Sequence, residues 1–152
     1  MKIAKTIAIM LLGIGHLAAE ITVDSIFASG MVLQQGQIIP ITGTVTGGTK
    51  SVTVQFAGQN VKAEIKGKLW RAKLQPMEAS TESRTMIITQ GDSDSLTLDN
   101  VRVGEVWLAS GQSNMLWRLN QTGDRNAIAS ANHPQLSFYH NEPQIHTSPR
   151  PY

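Results

Sequence analysis

The chain has 152 residues, enough for one ordinary domain or for a small domain with part of another. It contains no cysteine, which excludes a disulfide framework, a thiolate metal site and a cysteine nucleophile together. The formal charge is only +2, and no Lys/Arg-rich patch with interleaved aromatics occurs, so nothing points to nucleic acid as a partner.

Residues 1–19 read as a secretory signal. Lys2 and Lys5 precede an apolar stretch from Ile7 to Ile14, and the small residues Ala18 and Ala19 precede Glu20. Cleavage is expected after Ala19, with export to the periplasm or beyond the cell, although Leu17 departs from the usual small residue at the third position before the cut. The apolar stretch is too short for a stable membrane anchor, which takes about 20 residues. Loss of Lys2 and Lys5 would leave eleven basic residues against eleven acidic ones, a neutral chain.

Residues 20–100 alternate short strand-like runs with turn residues, the pattern of a β-sandwich. Strands are expected near Met31–Leu33, Ile38–Gly43, Ser51–Phe56, Val61–Ile65, Leu69–Leu74, Thr85–Thr89 and Leu96–Leu98. Val52, Val54 and Phe56 fall on one face, which should point into the core. Lys66-Gly67-Lys68 suits a hairpin, and Trp70, inside a regular strand pattern, reads as a core aromatic. The acidic residues are scattered, without a pair that argues for glycosidase chemistry, and no Walker-type phosphate loop is present.

From Val101 to Ala109 the chain is apolar and rich in β-branched residues, which predicts a buried strand. Ser110-Gly111-Gln112 then breaks the run, and Met115, Leu116 and Leu119 share one side of an expected helix. Ser113 stands at the start of that helix, where unpaired N–H groups and the positive end of the dipole could stabilise an oxyanion. Serine at such a place is equally a common helix N-cap, and the segment is not the nucleophile elbow of α/β-hydrolases, because Met115 replaces its second glycine. A polar turn at Asn120–Arg125, a helix at Ala127–Ala131 and a strand at Leu136–Tyr139 complete the start of an α/β unit. The expected fold is therefore a mostly β sandwich over 20–100 followed by the incomplete beginning of an α/β domain over 101–152.

Gly104-Glu105-Val106-Trp107-Leu108-Ala109-Ser110-Gly111-Gln112-Ser113-Asn114-Met115 resembles the first block of the sialate O-acetylesterases, SGNH-type serine esterases that carry GQSN at this place. Met31-Val32-Leu33-Gln34-Gln35, Gly67-Lys68-Leu69-Trp70 and Gln75-Pro76-Met77 are similar to the β-rich region of that family, in the same order. The resemblance implies that Ser113 is the nucleophile. It also implies oxyanion contacts from Asn114 and the Ser113 N–H, with Gly111 and Gln112 as local support. The implied substrate is a small acetylated sugar of the sialic acid class, with no metal and no organic cofactor.

That family also supplies a histidine three residues after an aspartate, and no histidine here has that partner: Ser130 precedes His133 by three, Ser137 precedes His140 and Pro143 precedes His146. The chain is therefore expected to be an amino-terminal fragment and, by itself, a poor esterase. His133, His140 and His146 are separated by seven and six residues, which fits no helical metal-ligand pair. The competing expectation is a secreted, non-catalytic β-sandwich module that binds a glycan or a protein partner.

Overall fold

The computed structural model describes residues 20–139 except positions 47, 50, 92 and 93; the expected signal segment, His140 and His146 lie outside the described residues. Alternating apolar residues bury one face of each main strand and leave the other to solvent. Nine strands result among the described residues: β1 (Ile21–Val23), β2 (Val32–Gln34), β3 (Ile39–Val45), β4 (Val52–Phe56), β5 (Gln59–Lys62), β6 (Glu64–Lys66), β7 (Leu69–Leu74), β8 (Ser80–Gln90) and β9 (Asp94–Gly104). They form a mostly β sandwich of two sheets, one ordered β1-β3-β7-β6 and the other β2-β9-β8-β4-β5. Every pairing is antiparallel except that of β2 with β9.

The core lies between the sheets. Val52, Val54 and Phe56 enter it from β4, as the alternation predicts, and Trp70, Ala72 and Leu74 enter it from β7. Trp70 is 2% exposed, and its indole N–H donates to the carbonyls of Thr22 (3.1 Å) and Thr44 (3.3 Å), which satisfies the one polar atom of the ring. Trp70 pairs with Gly43, on the buried face of β3. A side chain at Gly43 would run into the Thr22 carbonyl and stand 2.8 Å from Val23 Cα, so its absence lets β1 lie against β3 here.

Two expectations change. The single strand read over Val61–Ile65 is divided: β5 pairs with β4 in one sheet and β6 with β7 in the other, so the chain changes sheets at Ala63. Ala63 is buried and its N–H donates to the Val52 carbonyl at 2.8 Å, so the crossing residue keeps a hydrogen bond.

The strand read from Val101 to Ala109 is instead the end of β9, which begins at Asp94 and stops at Gly104. Val101 and Val103 are buried in the sandwich core, and Val32, Leu33 and Gln34 of β2 pair with Arg102, Val103 and Gly104. The expected division between residues 100 and 101 thus falls inside a strand. Asn100, with φ 57°, sits at that point, and the register of β9 against β8 shifts beside it. Its side-chain oxygen accepts from Ser83 Oγ at 3.0 Å.

Candidate active site

Beyond Gly104 the chain leaves the sandwich. Residues 105–112 form no strand, and Trp107 and Leu108 are 85% and 94% exposed, because among the described residues no strand pairs with them and nothing packs over their side chains. Gln112 is extended (φ −100°, ψ −163°) and leads into a 3-10 turn, Ser113–Leu116. The expected α-helix through Met115, Leu116 and Leu119 is therefore two short 3-10 turns, the second at Leu119–Gln121. Its apolar stripe has no facing surface among the described residues, and an amphipathic helix owes most of its stability to such packing.

The turn carrying Ser113 is closed by Met115 N–H donating to the Gln112 carbonyl (2.9 Å) and Trp117 N–H donating to that of Asn114 (3.2 Å). The N–H groups of Ser113 and Asn114 stand at its open amino end and have no acceptor among the described residues. So short a turn carries few aligned peptide dipoles, and the oxyanion contribution expected from a full helix shrinks to those two N–H groups. Gly111 lies under Met115: a Cβ there would stand 2.6 Å from Met115 Cγ, so a side chain at 111 requires the exposed Met115 side chain to turn aside. Gln112 supplies a backbone carbonyl to the turn and no side-chain cap.

Ser113, Asn114, Gly111 and Gln112 are thus brought together on one exposed turn. Ser113 is the first residue of the turn rather than its N-cap, a place taken by Gln112. No hydrogen bond among the described residues joins Ser113 Oγ to a base. His133 is exposed on the loop after the α-helix α1 (Arg125–Ser130) and makes no side-chain hydrogen bond to the turn. Among the described residues no group of three or more His, Cys, Asp or Glu stands close enough to hold a metal ion. No helix among them is long and apolar enough to cross a membrane.

Helix α1 falls close to the expected Ala127–Ala131, started by Asp124, whose carboxylate accepts from Ala127 N–H at 2.9 Å. The strand expected at Leu136–Tyr139 is absent. That segment lies against the β1–β2 loop, with Ser137 Oγ donating to the Gly30 carbonyl (2.8 Å) and Tyr139 OH 3.5 Å from Ser25 Oγ, and among the described residues no strand pairs with it.

Reading the residues alone misses Gln34 and Gln35. The Gln34 side-chain oxygen accepts from Val106 N–H at 2.8 Å, and the Gln35 amide donates to the Glu105 carboxylate, both at the exit of β9 toward Ser113. Their only signal in the sequence is their place in Met31-Val32-Leu33-Gln34-Gln35.

Among solved structures the chain is similar to a carbohydrate acetylesterase from Xanthomonas citri, with 30% identity and a TM-score of 0.67. The likeness covers 75% of this chain and 26% of that one, so the chain spans about a quarter of its neighbour. A fibronectin(III)-like module of CbhA from Clostridium thermocellum is matched at 18% identity and a TM-score of 0.40, over 59% of this chain and all of the module. No protein-family model matches the chain, and no curated protein matches it.

Proposed function

We propose that the chain carries the nucleophile-bearing part of a carbohydrate esterase that removes acetyl groups through an acyl-enzyme on Ser113. What supports this most is the likeness to the Xanthomonas citri acetylesterase, which extends over three quarters of the chain. In the proposed reaction Ser113 Oγ attacks the acetyl carbonyl carbon and gives up its proton to a base. The N–H groups of Ser113 and Asn114 face the oxygen on which negative charge collects. Collapse of the tetrahedral intermediate expels the sugar hydroxyl, and water then releases acetate from the acetylated serine.

The finer reading is a sialate O-acetylesterase, carried by the twelve residues from Gly104 to Met115. The alternative, a non-catalytic β-sandwich module that binds a glycan or a protein partner, also fits the two-sheet fold, although the sandwich itself offers a glycan little. Its aromatic residues among those described are Phe27, half-buried, and Phe56 and Trp70, both buried, so no exposed ring is offered to a sugar on either sheet.

The test is acetate release from O-acetylated sialic acid and from other acetylated sugars. It compares the 152-residue chain, a form continued through the downstream reading frame, and the Ser113→Ala variant of each. The continued form should release acetate and lose that activity on Ser113→Ala. The shorter chain should be slower by about 10²–10⁴, the usual worth of a general base. Preference for the sialate over the other sugars supports the finer reading. Absence of Ser113-dependent release in either form sinks the esterase reading. Equal rates in both forms would make a residue such as His133 the base.

A further inference from the structure

The segment that carries Ser113 is almost wholly exposed, so packing against the other described residues does not fix its course. Among the described residues its hydrogen bonds to the sandwich lie at two places. Far from the turn, Ser137 reaches Gly30 and Tyr139 reaches Ser25. At the near end, directly after β9, Val106 N–H donates to Gln34 and Glu105 accepts from Gln35.

The two glutamines are themselves well held. Gln34 lies in β2, paired with Gly104, and its side-chain N–H reaches the Gln35 carbonyl at 3.4 Å. The Gln35 backbone N–H donates to the Gly104 carbonyl at 2.8 Å, and its side-chain oxygen accepts from Ala79 N–H at 3.2 Å. Gln35 thereby ties the end of β2, the approach to β8 and the exit of β9 to one another.

We propose that Gln34 and Gln35 are positioning residues: they clamp Glu105 and Val106 and so set the path by which the chain reaches the Ser113 turn. The proposal rests on Ser113 being the nucleophile. An amide is suited to the Gln35 position because it must accept from a backbone N–H and donate to a carboxylate at once. Glutamate in its place keeps the acceptor but sets two carboxylates together. At Gln34 glutamate keeps the acceptor facing Val106 and loses only the longer contact to the Gln35 carbonyl, whereas methionine loses both.

Hydrogen exchange of the full chain, read at the Val106 amide, which among those of 105–113 has an acceptor in the Gln34 side chain, tests the clamp. Gln34→Met and Gln35→Glu should each raise exchange there about three- to tenfold, while β8 and β9 keep the protection of the native chain. Gln34→Glu, which keeps the acceptor, should raise exchange less than Gln34→Met. The swapped pair, Gln35→Glu with Glu105→Gln, should restore it, a reversal that a general loss of folding cannot produce.

In the acetate-release assay of the form that depends on Ser113, the same two disruptive variants should lower kcat with KM unchanged, and the swapped pair should recover it. An unprotected Val106 amide in the native chain, unchanged exchange in both disruptive variants, or unchanged kcat would each overturn the proposal. If no form shows Ser113-dependent release, the esterase reading falls by itself, and the exchange result still decides whether the clamp exists.

Discussion

At Ala57 the backbone asks for a residue the chain does not supply. Phe56 of β4 pairs with Gln59 of β5, so Ala57-Gly58 is a two-residue hairpin turn, and both residues have positive φ (48° and 78°). That geometry suits a primed turn, in which Asn-Gly is favoured because Asn tolerates the left-handed region better than Ala. Ala57→Asn should therefore stabilise the protein by about 0.5–1 kcal/mol, with a higher urea midpoint and an unchanged slope. A lower midpoint would mean that this turn is not under the conformational strain its dihedrals imply. In the sequence Gly58 marks a tight turn as Gly67 does between Lys66 and Leu69, but nothing in Ala57 signals that positive φ is needed at its position too.

Among the elements, β4 and β7 were legible because clean alternation between core and solvent is written into their residues. What alternation does not carry is the identity of the partner strand. The run from Val61 to Ile65 looks continuous in sequence, yet Ala63 passes it from one sheet to the other, a change that depends on what lies across from each half. The run from Val101 to Ala109 misleads for a related reason. Val101 and Val103 continue the core face of β9, while Val106, Trp107 and Leu108 are equally apolar but unpaired. The break at Ser110-Gly111-Gln112 before Ser113 is legible from its small polar residues, whereas the glutamines whose side chains reach Val106 and Glu105 lie some seventy positions earlier. The end of β9 has an energetic consequence. A chain cut to residues 20–104 should melt cooperatively as a β protein. One cut at residue 100 loses the β2–β9 pairing and two buried valines, each worth about 1.5–3 kcal/mol of burial, and should melt far lower or fail to fold. Equal melting of the two would place Val101 and Val103 outside the cooperative core.

For the whole molecule, the contrast between its two parts is one of where apolar surface goes. In the sandwich the exposed large apolar residues are the scattered Ile26, Ile38 and Leu69, which is ordinary for a protein surface. Beyond Gly104 they are dense: Val106, Trp107, Leu108, Met115, Leu116, Trp117, Leu119, Ile128, Leu136, Phe138 and Tyr139 are all exposed, Phe138 at 87%. Apolar surface on that scale is unfavourable in water at about 25 cal/mol per Å², so it will be covered wherever a covering surface is available. The chain of 152 residues in isolation should therefore bind an anilinonaphthalene dye with a rise in emission and associate at micromolar concentration. Chains cut to residues 20–104 should do neither, since the sandwich keeps its core inside. Salt should strengthen rather than weaken the association, because burial of apolar area is not screened as ion pairs are. Sedimentation and dye titration of the two forms side by side make the comparison. If the longer form stays monomeric and dark, residues 106–139 bury their own rings in solution. The turn that carries Ser113 would then be held by packing, and the glutamine clamp would matter less to its position.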